Sequence, residues 1–181
     1  DNNGNPIQNA VVDRDGNGEI TESDKYLTGK SPMAKVFMGF SSQFTYKNWD
    51  FGFNMRANFG NYVFNGFAAD NISLNNFANQ GFTTNYYKDA GKYGFTQISD
   101  IIQKSTDLYL ENASFLKMDN ITLGYSFNKF FTSRISGRIS ASVQNVFTIT
   151  KYTGLDPECD AIDSNVWPRP RSFTIGLNLN F

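Results

Sequence analysis

The chain has 181 residues, a formal net charge of −1, no histidine and a single cysteine, Cys159. This near-neutral charge gives no electrostatic reason for binding nucleic acid, and the cysteine and histidine counts exclude an internal disulfide framework and most zinc chemistry. The chain contains 18 phenylalanines and 9 tyrosines, but it has no run of about 20 apolar residues, so a membrane-spanning helix is also excluded.

The first motif in chain order is the acidic stretch DRDGNGEITESD at residues 13–24. It matches the calcium-loop pattern, in which alternate side-chain oxygens and one backbone carbonyl surround the ion and a glycine permits the sharp turn. The predicted ligands are Asp13, Asp15, Asn17, Glu19 through its carbonyl, and Asp24. The last ligand is aspartate where the pattern prefers glutamate, and the flanking sequences are not helical. The alternative interpretation is an acidic turn that binds nothing.

The opening sequence DNNGNPIQNAVVD has no signal-peptide pattern, and it predicts that the chain is a segment of a longer protein. We divide the chain into two regions, a loop with the calcium motif at residues 1–33 and a strand-forming region at residues 34–181.

Alternation of apolar and polar residues predicts five β-strands in the second region. The first two are KVFMGFSSQFTY and WDFGFNMRANFG, joined by a tight turn at Lys47 and Asn48. The next two are NITLGYSF and ISGRISASVQNVFTI, separated by a predicted turn NKFFTSR. Long connections without a sustained pattern occupy residues 61–106 and 152–171. The last strand is RSFTIGLNLNF, whose apolar positions are Phe173, Ile175, Leu177, Leu179 and Phe181.

Two architectures contain such strands, a soluble β-sandwich and a transmembrane β-barrel. The polar faces carry Ser, Asn, Gly, Thr and Gln rather than many Lys and Glu, and aromatic residues cluster at the strand ends. Short turns also alternate with long connections, as in outer-membrane barrels. These features predict an all-β fold, a transmembrane antiparallel β-barrel with long extracellular loops. Five strands cannot close a barrel in lipid, so further strands are expected from another part of the protein.

The turn lengths also predict a topology across the outer membrane. If the short turns are periplasmic, residues 1–33 are extracellular and the C-terminus is periplasmic.

Other candidate chemistry is sparse, and the sequence does not predict an enzyme. The stretch DPECDAID carries four acidic residues but has no histidine partner, so we interpret it as a solvated loop. Cys159 has no base beside it and is predicted to be a spectator thiol. The aromatic residues of the long connections are candidates for stacking on sugars or peptides, or for packing within the loops. They are Tyr86, Tyr87, Tyr93 and Trp167.

Several stretches together resemble the C-terminal part of the SusC/RagA family, the TonB-linked outer-membrane transporters of Bacteroidetes. The resemblance covers nearly the whole chain and lies in the calcium motif, FTYKNWDFGF, YLENASFLKMDNITLGYSF, SASVQNVFTITKYTGLDPE and PRPRSFTIGLNLNF. It implies that the five strands are the last strands of a plugged barrel of about 22 strands. It also implies that the protein crosses the outer membrane many times and actively imports glycans or oligopeptides across it.

The resemblance further implies a set of partners. A SusD-like surface lipoprotein would cover the barrel, and TonB would act through an N-terminal region that precedes Asp1. The terminal aromatic strand is similar to the signal that the barrel-assembly machinery reads, and outer-membrane lipid would contact its apolar face. Two other functional classes stay open at this point, a passive pore or export channel and a calcium-dependent surface adhesin.

Overall fold

The computed structural model describes residues 1–73, 90–96, 105–130, 135–164 and 167–180. In these ranges the strands are β1 Val36–Tyr46, β2 Trp49–Phe59, β3 Tyr62–Asn65, β4 Leu110–Asn112, β5 Phe115–Phe130, β6 Ile135–Thr150, β7 Ile162–Asp163 and β8 Ser172–Asn180. The helices are α1 Gly66–Asn71 and α2 Ala90–Tyr93, with 3₁₀ turns η1 Glu22–Asp24 and η2 Asp107–Tyr109. The longest of these described helices has six residues, whereas a helix that crosses a bilayer needs about 20.

The chain forms two compact units, which we call the loop unit and the sheet unit. The loop unit comprises Asp1–Met33, Asn61–Ala113 and Tyr152–Trp167. The sheet unit comprises Ala34–Gly60, Ser114–Lys151 and Pro168–Phe181. The proposed division of the chain at residue 33 stays a prediction. The structure itself groups the two long connections with the N-terminal segment.

The sheet unit contains one antiparallel sheet in which β1, β2, β5, β6 and β8 are neighbours in that order. The predicted tight turn joins β1 to β2, and Lys47 adopts a φ of 53° there. The register aligns apolar residues into rows that cross all five strands, alternating with rows of small and polar residues. One apolar row is Phe44, Phe51, Leu123, Ala141 and Ile175. The adjacent polar row is Gln43, Gly52, Thr122, Ser142 and Thr174.

The apolar face of this sheet is exposed. Phe44 is 58% exposed, and Ile175 on the edge strand is 83% exposed. Aromatic rings contact one another along the face, including Trp49 and Tyr125, whose centroids lie 4.8 Å apart beside the β1–β2 turn. A soluble monomer rarely exposes so continuous an apolar surface. The face therefore has the character of a surface in contact with lipid.

A β-bulge in β5 explains why the alternation of apolar and polar residues predicted a start for this strand that lies too late in the chain. The pairing of β5 with β2 skips Asp119, and its pairing with β6 sets Asp119 against two unpaired residues, Asn145 and Val146. Asn145 has a φ of 53°. The extra residue shifts the alternation, so that Leu116 and Met118 still fall on the apolar face. The predicted strand began after this break, at the stretch NITLGYSF, whereas β5 begins at Phe115. The predicted turn NKFFTSR was also too long, because β5 continues to Phe130.

The loop unit contains a small second sheet, in which β3 pairs with β4 antiparallel and with β7 parallel. Asn65 ends β3 and caps α1, because its Oδ1 accepts a hydrogen bond from the Ala68 amide at 2.9 Å. Its Nδ2 donates to Glu111 Oε1 at 2.9 Å. Among the described residues of the unit, the buried apolar ones are Val63, Ala68, Ala69, Ile72, Phe95, Tyr109, Ala113 and Tyr152.

The long connections were predicted to carry no sustained pattern, and that prediction missed the second sheet. Its strands have only two to four residues, which is too short for an alternation to be recognised. Their pairing depends on residues that are distant in the sequence.

Candidate metal centre

The 13–24 loop winds around its own aspartates. Asp13 accepts hydrogen bonds from the Gly16 amide at 2.7 Å and from the Gly18 amide at 2.8 Å. The two glycines have φ values of 74° and 86°, a left-handed conformation that a residue with a Cβ adopts only with strain. Asp15 accepts from the Asn17 amide at 3.1 Å. The loop thus folds locally from the glycine spacing and from short aspartate-to-backbone bonds.

The end of the loop closes onto its beginning through Asp24. This buried carboxylate accepts from the Arg14 amide and from the Thr21 amide, each at 2.7 Å. Thr21 caps the η1 turn that carries Asp24. The hydrogen bonds from Thr21 and Arg14 lower the pKa of the Asp24 carboxyl from its ordinary value. Asp24 is therefore held as a carboxylate facing the start of the loop.

Three carboxylates meet inside the loop. Oxygens of Asp13, Asp15 and Asp24 all lie within 4.8 Å of one another. Ligands that share one calcium ion at about 2.3–2.6 Å lie at most about 5.2 Å apart, so the spacing fits a common ion. The other two predicted ligands lie in the same loop, where Asn17 Oδ1 accepts from the Glu19 amide at 2.7 Å. An all-oxygen donor set of this kind suits a hard divalent cation.

The loop also makes a contact that the sequence did not predict. The Arg14 guanidinium lies 3.7 Å from the centre of the Tyr26 ring, and the Tyr26 hydroxyl donates to Asp107. The two residues of the hydrogen bond are 81 positions apart. Local sequence carries no signal for such a contact.

Of the four aromatic candidates for substrate stacking, Tyr86 and Tyr87 lie outside the described residues. Tyr93 stacks on Phe95 with centroids 5.6 Å apart and packs against the buried cluster of the loop unit. Trp167 is 84% exposed. The structure therefore gives Tyr93 a packing contact, whereas Trp167 presents its ring to solvent.

The acidic stretch DPECDAID differs from the prediction of a solvated loop. Asp163 is fully buried, and its Oδ2 accepts from the Tyr152 hydroxyl at 3.0 Å and from the Leu155 and Asp156 amides at 3.0 and 3.1 Å. Burial and the Asp163 charge raise the pKa of the Tyr152 phenol. Burial, together with the charges of Asp163 and Asp156, raises the pKa of the Cys159 thiol to about 11. The stretch thus helps to hold the loop unit together.

The predicted assembly residues lie along β8, which pairs with β6. Phe173, Ile175, Leu177 and Leu179 are exposed on the apolar face, and Phe181 lies outside the described residues. An antiparallel sheet with one exposed aromatic and aliphatic face and one polar face defines a wall segment of an outer-membrane-type β-barrel.

Comparisons with known proteins identify the family. No protein-family model matches the chain. The TonB-dependent receptor SusC of Bacteroides thetaiotaomicron is 43% identical over 100% of this chain and 18% of its own length. The TonB-dependent receptor P3 of Formosa agariphila is 29% identical over 94% of this chain and 18% of its own length. The chain thus spans about a fifth of the curated relatives it matches.

Solved structures support the same fold. The RagAB peptide importer in the open-open state matches with a TM-score of 0.66 and 20% identity, over 90% of this chain and 19% of the other. The closed-closed state matches with a TM-score of 0.65 and 22% identity, over 96% and 21%. The chain belongs to the SusC/RagA family of TonB-dependent receptors, of which it represents one segment.

Proposed function

We propose that the whole protein is a TonB-dependent importer of glycans or oligopeptides in the bacterial outer membrane. The observation that supports this most strongly is the 43% identity to SusC along the entire chain. The polar face of the sheet is compatible with a hydrophilic lumen, because it carries two ion pairs among its hydroxyl and amide groups. Arg138 binds Asp50 through two contacts of 3.0 and 2.5 Å, and Arg56 binds Asp119 at 2.7 Å. A substrate would meet amides, hydroxyls and neutralised ion pairs along this wall.

The orientation in the membrane is part of the proposal. The two-residue β1–β2 turn faces the periplasm, as short turns of outer-membrane barrels do, and the long connections face the outside. Residues 1–33 are then extracellular and the C-terminus is periplasmic. The protein crosses the membrane many times, because parts of the same protein outside these 181 residues supply the remaining strands.

The proposed partners follow from this arrangement. A SusD-like lipoprotein covers the extracellular mouth, and TonB supplies energy through a region of the protein outside this chain. The barrel-assembly machinery recognises the terminal strand, and the apolar face contacts outer-membrane lipid. None of these roles involves covalent chemistry on the substrate.

The experiment measures uptake by the whole protein in its native host. Deletion of its gene should abolish uptake of one class of labelled oligosaccharide or oligopeptide, and loss of TonB should have the same effect. Uptake that persists without TonB would instead indicate a passive pore. Unchanged uptake of every solute tested, with loss of surface attachment, would indicate an adhesin.

We infer in addition that residues 13–24 bind calcium in a structural role. Asp13, Asp15 and Asp24 would supply carboxylate oxygens, Asn17 its side-chain oxygen and Glu19 its carbonyl. The convergence of three carboxylates within 4.8 Å supports this, because such charges repel one another unless a cation lies between them. Extracellular calcium is abundant, so an affinity of about 10⁻⁴–10⁻³ M would suffice. When bound, the ion would brace the loop at the contact with the lipoprotein.

The calcium proposal is tested by titration calorimetry on the full-length protein in detergent. The wild type should bind one calcium ion at this loop, and the Asp13→Ala and Asp15→Ala double variant should lose that binding. Glu22→Ala is a matched control, since it removes an exposed carboxylate of the same loop that pairs only with Lys25 among the ion pairs described. Equal binding by the wild type and the double variant would exclude this site. An unchanged lipoprotein complex in the double variant would exclude only the bracing role.

A further inference from the structure

Tyr26 connects the 13–24 loop to a second segment of the loop unit. One face of its ring lies against the Arg14 guanidinium, 3.7 Å from the ring centre, and its hydroxyl donates to the Asp107 carboxylate. A cation stacked on an aromatic ring and a phenol bonded to a carboxylate are both charge-assisted contacts. Tyr26 is therefore held from the loop on one side and from η2 on the other.

On the loop side, the two partners of the stacking contact, Arg14 and Tyr26, are both positioned close to Asp24. The Arg14 amide donates to Asp24 Oδ1 at 2.7 Å, which positions the residue that stacks on Tyr26. Tyr26 itself follows Asp24 by two positions, immediately after Lys25, the C-cap of η1. Any change that releases Asp24 from the start of the loop would move the two partners of the stacking contact apart.

On the other side, Asp107 begins a turn whose end is buried. Asp107 is the first residue of η2, and Tyr109 is its last. The Tyr109 ring packs in the cluster formed by Ala68, Ala69, Ile72 and Phe95, and it meets Phe64 edge-on with centroids 6.0 Å apart. The exposed start of η2 thus bonds to Tyr26, while its end packs in the core.

We propose that Tyr26 couples calcium occupancy of the 13–24 loop to the order of η2. This inference rests on the calcium binding proposed above. With the ion bound, Asp13, Asp15 and Asp24 remain together, and Arg14 and Tyr26 keep the positions from which Tyr26 binds Asp107. Without the ion, carboxylate repulsion opens the loop, and the start of η2 loses its contact with the N-terminal segment. Tyr26 acts here as a positioning residue, with no direct contact to the metal.

The test is amide hydrogen exchange of the full-length protein in detergent, with calcium and with a chelator. In the wild type, calcium should slow exchange both in residues 13–24 and in residues 105–112. In Tyr26→Phe the ring still stacks on Arg14 but the hydroxyl is lost. Calcium should then still slow exchange in the first region, while the protection of the second falls by about three- to tenfold.

Tyr62→Phe is the matched control. It removes a tyrosine hydroxyl that also bonds to the N-terminal segment, because the Tyr62 hydroxyl accepts a hydrogen bond from Lys30 Nζ at 3.1 Å. Calcium should protect both regions in this variant as in the wild type. Equal calcium protection of residues 105–112 in the wild type and in Tyr26→Phe would overturn the coupling and leave the metal site intact. No calcium effect on residues 13–24 of the wild type would overturn the metal site and, with it, the coupling.

Discussion

At the scale of single residues, the loop unit depends on a few fully buried polar groups. Asp163 accepts three hydrogen bonds, and Asn65 bonds to the Ala68 amide, Glu111 and Thr153. Neither residue is accessible to solvent. A buried polar group is tolerated when its hydrogen-bonding capacity is filled, and its partners then specify one arrangement. These two residues hold together segments that are far apart in the sequence.

Cys159 provides a prediction at this scale. Because its pKa is raised to about 11, only about one thiol in a thousand is ionised at pH 8, against roughly a quarter for an ordinary cysteine. We expect alkylation by iodoacetamide at pH 8 to be roughly 100-fold slower than for an unburied thiol. At pH values below the pKa, the alkylation rate should rise about tenfold for each unit by which the pH is raised.

The measurement uses the native full-length protein, and mass spectrometry follows modification at Cys159. The control is a Cys159→Ser protein with Asn3→Cys, which places the thiol at an exposed position. Both thiols should react alike after denaturation. Similar native rates for the two would contradict the raised pKa of the partly buried Cys159 thiol.

At the scale of secondary-structure elements, the edges of the five-stranded sheet are the main feature. In the described part of the chain β1 pairs only with β2, and β8 pairs only with β6. An unpaired edge is not stable in lipid, because its backbone amides and carbonyls have no water to bind. Both edges must therefore be paired by other strands in the whole protein. The exposed apolar residues of β8 continue to the end of this edge strand.

The terminal strand carries the second prediction. Phe181→Asp should lower the amount of protein assembled in the outer membrane, because it places a charge at the last apolar position of the alternating sequence. Protein that does insert should transport normally. Heat-modifiability on gels measures assembly, and uptake per assembled molecule measures transport.

Asn180→Asp is the control for this variant, since it places the same charge one residue earlier, on the polar face. It should assemble at close to wild-type levels. Wild-type outer-membrane levels of Phe181→Asp would count against an assembly role for this strand.

At the scale of the whole molecule, the two faces of the sheet should respond differently to charge. Phe53 lies on the apolar face, where its ring contacts Phe40 and Phe51 with centroids 5.7 and 5.9 Å away. Phe53→Arg should destabilise the folded protein in lipid by roughly 2–4 kcal/mol if the site is near the middle of the bilayer. Urea titration of the whole protein folded into lipid vesicles measures this difference.

Asn54→Arg is the adjacent control, on the polar face. Asn54 donates to Asn120 Oδ1 at 2.9 Å, so this variant loses one side-chain hydrogen bond but exposes no charge to lipid. We expect a cost of about 1 kcal/mol. Equal destabilisation by the two substitutions would argue against a membrane-embedded sheet.

The sequence by itself determined the features that depend on near neighbours. Side chains alternate between faces along a strand, so the rows through Phe44 and Phe51 and the turn at Lys47 and Asn48 could be predicted without a fold. The 13–24 loop was visible for a similar reason, since its glycine and aspartate spacing folds it through bonds between residues that are close in the sequence.

Only the tertiary structure decided which distant segments meet. β2 pairs with β5 across the whole intervening loop segment, and Tyr26 reaches Asp107 across 81 positions. The burial of Asp163, predicted to be solvated, also depends on Tyr152 and on the small second sheet. A local sequence pattern predicts which face of a strand a side chain lies on, but it does not predict which strand pairs with it. Pairing between distant strands depends on the free energy of the complete fold.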